Sequence, residues 1–461
     1  MTRAADIPQE RLARNPLITP EGYQRLRAIL EHPDAPAWNY EVGDRLQSDD
    51  LPAVDAFRQQ LGNAPPRFEP EPPDSLTAWV EQQRPRVPLI QEALPEGFDL
   101  RRDWAHIPAM TRADLVHRLE DIVPLDADLL RMIVYDTSGV TGHAILVPQH
   151  PRAMAQYHPL LEIMLEQYGI RPDFSERVTA CLNVGCQVST VTFATLFSVW
   201  RQAGFAKVNL HERVWDRERA QRFFSDTAPL FLTGDPLGFA QMAAWDIECR
   251  PAAMISTAVT LAPELRLKLQ ERYGCPVIDI YSTTESGPIA FSAPDGEGML
   301  AAAPDLYVEI VDNEGRPVKE GEIGEICVSG GRNPYLPLLR YRTGDFGRLA
   351  PDQQGRLRLY DLQAREPIAF VDGDGLPVCM VDVARIIREW PLVQHEFSQQ
   401  ADRSCRLVIQ PLAGYQVDVD MVREKLEKLF GPAVPVTVEL DQHLGDSRPG
   451  GKVIPFRSLI P

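Results

Sequence analysis

Basic residues are in deficit: 47 Lys and Arg against 65 Asp and Glu give the 461 residues a formal charge of −18. An acidic surface repels phosphate backbones and anionic lipid, so neither nucleic acid nor a membrane surface is expected as a partner. Cysteine is sparse and scattered, with seven residues and no C-x-x-C pair or nearby histidine at ligand spacing. That excludes a disulfide framework and a zinc site, and it predicts a reducing, cytoplasmic setting. The opening MTRAADIPQERLARNP lacks the apolar run of a signal peptide. One uncharged stretch, residues 178–200, is long enough to span a bilayer. It carries Asn183, Gln187, Ser189, Thr190, Thr192, Thr195 and Ser198, too polar for a lone span, and reads as buried core. Internal repeats and low-complexity tracts are missing too.

Proline is the exception to this scarcity. The 41 prolines are about 9% of the chain, nearly double the usual share, and they indicate rigid loops rather than disorder. Length predicts two or three domains. Residues 1–60 read as helical pieces bounded by proline, followed by GNAPPRFEPEPPDS at 62–75, which suits only loop or polyproline II. From about Leu130 short β-rich runs alternate with helical ones, which predicts an α/β fold rich in parallel sheet. One unit is explicit. Pro263 suits a first helical turn, Leu265, Leu269 and Tyr273 share a face, and Gly274 is placed as the stop. CPVIDIY then reads as a strand and STTESG, residues 282–287, as the loop at its carboxyl end, where open α/β sheets hold ligands. LYVEIVD and IGEICVSG read as further strands, joined by a solvated turn carrying Glu314, Glu320 and Glu322. A smaller domain begins near Asp361, with a helix at 420–430 stopped by Gly431, a VPVTVEL strand and a tail containing GGKVIPF.

Three segments carry chemistry. Tyr135-Asp-Thr-Ser-Gly-Val-Thr-Gly142 is a loop of small hydroxyl and glycine residues, able either to wrap its amides round a phosphate or to be a plain surface turn. It is not a Walker loop, since no Gly-Lys-Ser/Thr follows. Asp279-Ile-Tyr-Ser-Thr-Thr-Glu285 places an aromatic ring, hydroxyls and a carboxylate together at a strand end, a set that could stack a base, hold a phosphate and ligate Mg²⁺. Tyr281 could equally be a core tyrosine. Leu339-Arg-Tyr-Arg-Thr-Gly-Asp345 could be a salt-bridged turn or a site.

In this order the three segments, with the final glycine-lysine of GGKVIP, resemble the adenylate-forming superfamily of acyl-CoA synthetases, nonribosomal adenylation domains and luciferases. The likeness runs from about Ala105 onward and is strongest to the phenylacetate–CoA ligase branch. It implies a large, multi-subdomain α/β N-terminal domain at 1–361, with 1–100 a variable lead-in, and a small mobile α+β lid at 362–461. It implies that Thr137, Ser138, Gly139, Thr141 and Gly142 cover the ATP phosphates. It implies further that Tyr281 stacks on adenine, Thr284 contacts the α-phosphate, Glu285 ligates Mg²⁺, Asp345 takes the ribose hydroxyls, Arg365 lies near the nucleotide and Lys452 bridges the reacting carboxylate and α-phosphate. Cys186, Gln187 and Phe193 are the candidates for the acid pocket. The implied reaction turns a small carboxylic acid and ATP into an acyl-adenylate and then passes the acyl group to a thiol, with coenzyme A as leading acceptor and an aromatic or arylacetic acid favoured. A carrier-protein thiol or an amine is the alternative acceptor, and a non-catalytic nucleotide-binding protein is the other reading.

The chain departs from the family pattern at three places. The phosphate loop continues to His143 instead of lysine, and a neutral imidazole cannot replace an ammonium as a phosphate clamp. Residues 257–260 read Thr-Ala-Val-Thr where the family has Gly-Glu before the helix. The interdomain crossing reads Ala364-Arg365-Glu366-Pro367, and a proline there fixes φ and restricts rotation.

Overall fold

The computed structural model describes residues 7–63, 66–136, 145–175, 178–186, 190–212, 214–258, 260–363, 369–375, 377–387, 389–446 and 453–460. The lead-in is helical at Gln9–Arg14, Pro20–Leu30 and Leu51–Asn63, and irregular between 31 and 50. Pro20 opens the second helix as a first-turn residue, and the Thr19 hydroxyl accepts from the Gly22 amide at 3.1 Å. The proline-rich break is shorter than its composition suggests, because helices take Gly62 and Asn63 at one end and Asp74 and Ser75 at the other.

A two-stranded hairpin of β1 (Ile133–Asp136) and β2 (Leu146–Gln149) precedes the main sheet. Its twelve strands, in chain order, are β3 (Thr179–Gly185), β4 (Phe193–Phe197), β5 (Ala203–Asn209), β6 (Phe231–Gly234), β7 (Ala253–Ser256), β8 (Val277–Thr283), β9 (Gly287–Ser292), β10 (Met299–Ala301), β11 (Leu306–Val311), β12 (Gly324–Gly330), β13 (Leu338–Pro351) and β14 (Leu357–Gln363). They lie side by side as β11-β12-β13-β14-β10-β9-β8-β7-β6-β3-β5-β4. The five from β5 to β8 are mutually parallel; β4 on one flank and everything from β9 onward are antiparallel. Both faces of the parallel half are covered, which is why its strands read as nearly continuous apolar runs. Helices Arg217–Thr227, Pro236–Ala244 and Pro263–Tyr273 pack on one face through Phe223, Phe224, Phe239, Leu265 and Leu269. Helix Tyr157–Gln167 packs on the other through Leu160, Met164 and Leu165. Within the uncharged stretch at 178–200, β3 and β4 are largely buried, while Val178 and Val191 are exposed.

The unit spelled out most clearly in the sequence is present. The helix runs Pro263–Tyr273 with Leu265, Leu269 and Tyr273 buried, and Gly274 ends it in the left-handed region at φ 63°. Two boundaries differ from expectation. β8 continues to Thr283, so the loop shrinks to residues 284–286. The RYRTGD block, expected as a turn, lies within the fourteen-residue strand β13.

The C-terminal part adds β15 (Ala369–Val371), β16 (Pro377–Cys379), β17 (Leu392–Gln399), β18 (Cys405–Pro411), β19 (Val436–Leu440) and β20 (Phe456–Ser458). The last four form a separate sheet in the order β19-β18-β17-β20. Helix Val419–Phe430 buries Val422, Leu426 and Phe430 against a core that includes Phe370, Phe397, Leu407 and Ile409. This unit seats Leu412, 3% exposed, in the core of the large unit. Beside it Lys268 Nζ donates to the Ala413 carbonyl at 3.0 Å and lies 5.0 Å from the Tyr415 ring centroid. Among the described residues no helix is long and apolar enough to cross a membrane.

Candidate active site

The carboxyl end of β8 delivers Tyr281, and the chain then reverses within three residues into β9. The turn is closed by hydroxyls: Thr283 Oγ1 accepts from the Ser286 amide at 3.0 Å and lies 2.9 Å from the Ser286 hydroxyl. Gly287 follows at φ 72°, where an added Cβ would lie 2.5 Å from the Tyr157 hydroxyl, so only glycine fits. Gln149, on the hairpin flanking the glycine-rich loop, donates to the Thr284 carbonyl at 3.0 Å. The Thr284 side chain is left exposed.

β13 supplies the opposing groups. Tyr281 donates its hydroxyl to Asp345 Oδ2 at 2.9 Å, with Thr343 Oγ1 at 3.3 Å. Tyr341 donates to Glu285 Oε1 at 3.0 Å, and Glu285 is only 7% exposed. A bulge makes this possible. Pairing with β12 steps from Cys327↔Arg342 to Glu325↔Phe346, so residues 343–345 of β13 oppose Ile326 alone, with Gly344 at φ 78°. Bulges re-aim side chains, and this one turns Asp345 toward Tyr281. Burial, with the Asp345 charge adding to it, drives the Tyr281 hydroxyl well above the ordinary phenol value, so it remains a donor.

The two arginines of the block are structural. Arg340, 1% exposed, bonds Glu309 at 2.9 Å and donates to the carbonyls of Ile107 at 2.8 Å and Gly315 at 2.6 Å, while Trp104 Nε1 reaches Glu309 at 3.3 Å. Arg342 bonds Glu325 at 2.6 Å. The salt-bridged reading was right for the arginines, although they sit on a strand.

The structure thus brings Tyr281, Thr284, Glu285 and Asp345 to one place. It adds Tyr341, Thr343 and Gln149, which sequence reasoning missed; Tyr341 and Thr343 share a strand face by their two-residue spacing, the one available signal. Glu285 suits a divalent cation: its carboxylate is oriented by a neutral phenol and forms no ion pair with Lys or Arg among the described residues. In the loop after β7, Ala258 holds φ 74°, a backbone region that favours glycine. Burial raises Asp279 to about 6, against the pull of Arg266.

Of the acid-pocket candidates, Cys186 follows β3 and is half-buried, its thiol pushed up to about 12 by burial and then by Asp235, Asp446 and Glu212. Phe193 opens β4. Cys181 is a buried core residue, as expected. Thr137, Ser138, Gly139, Thr141, Gly142, His143, Gln187, Val259, Arg365, Pro367 and Lys452 lie outside the described residues.

This arrangement defines a class. The profile of the AMP-binding enzyme family matches residues 69–333, more than half of the chain, and the chain belongs to that family. It is 28% identical over 197 residues to an indoleacetate–CoA ligase of Aromatoleum aromaticum, covering 38% of each chain. It is 33% identical over 101 residues to the phenylacetate–coenzyme A ligase of Escherichia coli K12, covering 21% of this chain and 23% of that one. The matches therefore span well under half of either relative. Among solved structures, 2-hydroxyisobutyryl-CoA ligase in its postadenylation state superimposes with a TM-score of 0.63 at 16% identity, over 91% of this chain and 95% of that one. The same ligase in an open conformation gives a TM-score of 0.54, over 92% and 99%. These likenesses establish a shared fold, and they bear out the α/β architecture with its separate C-terminal sheet.

Proposed function

We propose that this chain is an ATP-dependent ligase that activates a carboxylic acid as its adenylate and passes the acyl group to coenzyme A. The observation that carries the reading is the pair of hydrogen bonds, Tyr281 to Asp345 and Tyr341 to Glu285, that fixes two carboxylates and an aromatic ring around one strand end. The acid is aromatic or arylacetic; two relatives named for indoleacetate and phenylacetate support that choice.

The carboxylate oxygen attacks the α-phosphorus of ATP, the bond to the β-phosphate oxygen breaks, and acyl-AMP and pyrophosphate form. Two anions must meet, so positioning and charge neutralisation dominate the barrier. Tyr281 offers its ring to adenine and Asp345 its carboxylate to the ribose hydroxyls. Thr284 meets the α-phosphate from its exposed turn. Glu285 would hold Mg²⁺, which when bound offsets phosphate charge. Thr137, Ser138, Gly139, Thr141 and Gly142 enclose the phosphates, with Arg365 beside the nucleotide. Lys452 bridges the two reacting anions, a task suited to a compact ammonium on a flexible stem. Cys186, Gln187 and Phe193 border the acid. The thiol of coenzyme A then attacks the acyl carbon, and AMP leaves with the former carboxylate oxygen.

The test is acid-dependent ATP–pyrophosphate exchange over aryl, arylacetic, amino and fatty acids. Exchange is expected with one aryl class, and Glu285→Ala and Lys452→Ala each lower it by about a hundredfold or more. Coenzyme A then yields a thioester and AMP. If no acid supports exchange, the reading is wrong.

A further inference from the structure

Six strands meet in register on the sheet face that carries helix Tyr157–Gln167. Phe193 pairs with Lys207, Lys207 with Asn183, Asn183 with Thr233, Thr233 with Ile255, and Ile255 with Ile278. Paired residues project to the same face, so these six side chains form one continuous row. Its character changes along its length. Ile278 and Ile255 are buried in the apolar cluster. Thr233, Asn183, Lys207 and Phe193 are half-buried, and Asn183 Nδ2 donates to Thr233 Oγ1 at 3.0 Å. Two residues back toward the amino ends of the parallel strands, Phe231, Cys181, Phe205 and Thr195 make a largely apolar floor. The row is therefore a polar shelf over a dry floor, on the sheet that presents Tyr281 and the 284–286 turn.

Lys207 is the anomaly on this shelf. Among the described residues no carboxylate lies within ion-pairing distance of it. The opposing charge it feels is Asp235, whose carboxylate already accepts from the Gly238 amide at 2.7 Å as a helix cap. Burial holds the ammonium below its ordinary value, and a half-dry cation with no ion pair among the described residues calls for an acceptor.

We propose that Lys207 selects the acid: the substrate is an extended acid with an anionic or strong acceptor group at the end remote from the reacting carboxylate, and that group binds the Lys207 ammonium on the shelf formed with Asn183 and Thr233. This assignment rests on the acid-activating role proposed above for the β8 turn. β5 lies four strand spacings from β8, about 19 Å between backbones, and the long Lys207 side chain and the groups at the β8 turn close part of that gap, so the acid bridging the remainder is elongated rather than compact. Asn183 and Thr233 hydrogen-bond the middle of such a ligand, and the Phe193 ring covers its far end.

The experiment uses two matched pairs of acids, 4-carboxycinnamate with 4-methylcinnamate and 4′-carboxybiphenyl-4-acetate with 4′-methylbiphenyl-4-acetate. Each is titrated calorimetrically into the full chain, with pyrophosphate exchange measured in parallel. In at least one pair the carboxylated member binds about ten- to a hundredfold more tightly than its methyl partner. Lys207→Met abolishes that difference, Lys207→Arg retains it, and Lys319→Met, at an exposed turn, retains it as well. No preference in the unsubstituted chain, no binding of any of the four acids, or a preference that survives Lys207→Met overturns the proposal. If the Lys207-dependent difference is present while no acid supports exchange, the shelf stands and the catalytic reading falls. If exchange proceeds without the difference, only the shelf falls.

Discussion

Tyr281 combines a ring and a hydroxyl whose duties can be separated. The ring is still present in Tyr281→Phe, but Asp345 loses its donor, a bond of about 1 kcal/mol net. KM for ATP should then rise about three- to tenfold with kcat less affected, whereas Tyr281→Ala should lower both parameters' quotient, kcat/KM, much further; steady-state kinetics with varied ATP reads the split. Tyr341→Phe leaves Glu285 Oε1 without its phenol donor and should act on kcat instead. Ala258 sits in a backbone region that favours glycine, so Ala258→Gly should raise stability by about 1 kcal/mol, seen as a higher urea midpoint. The residues of this site were unequally visible in the sequence. Tyr281 and Glu285 stand out because a ring, hydroxyls and a carboxylate fall together at one strand end, whereas Asp345 is singled out only by the family resemblance of its block. Tyr341, Thr343 and Gln149 do not stand out, because their roles depend on cross-strand register and on a bulge that no local pattern encodes.

Elements were legible where local rules govern them. Helix Pro263–Tyr273 announces itself through a proline start, an apolar stripe and a glycine stop. The RYRTGD block reads in the sequence as a salt-bridged turn or a site, yet it lies within β13, with Arg340 buried against Glu309 and Arg342 paired with Glu325. Buried charges with partners defeat the rule that charge marks solvent. The helix Tyr157–Gln167 carries a testable liability of a related kind. His158 packs its ring 4.3 Å from Phe197 and 4.4 Å from Trp200, and burial lowers it to about 4, against a bond to the Ala155 carbonyl that favours the charged form. The unfolded chain takes up this proton near pH 6.5 and the folded chain only near 4. Stability is therefore full above pH 6.5 and declines as pH falls toward 4, by on the order of 3 kcal/mol for this group. Urea midpoints across that window should fall steeply, and His158→Gln should flatten part of the decline.

At the scale of the whole molecule, a twelve-stranded sheet joins a parallel and an antiparallel half across β8 and β9, and the site lies at that junction. Sequence showed alternating elements but not this continuity, since strand order is set by contacts between distant segments. The C-terminal unit has its own core, and Leu412 anchors it to the large unit. Leu412→Ala removes about 2–3 kcal/mol of packing from that contact. It should enlarge the radius of gyration in small-angle scattering while leaving the large unit's melting unchanged. The central claim is that a carboxylate oxygen attacks the α-phosphorus of ATP, and isotope transfer tests it most directly. The full chain is incubated with ATP, coenzyme A and an aryl acid labelled with ¹⁸O in both carboxylate positions, and AMP is recovered for mass spectrometry. The account predicts one ¹⁸O atom in each AMP and none in pyrophosphate. Label in inorganic phosphate with ADP as co-product, or unlabelled AMP beside newly formed thioester, would contradict it.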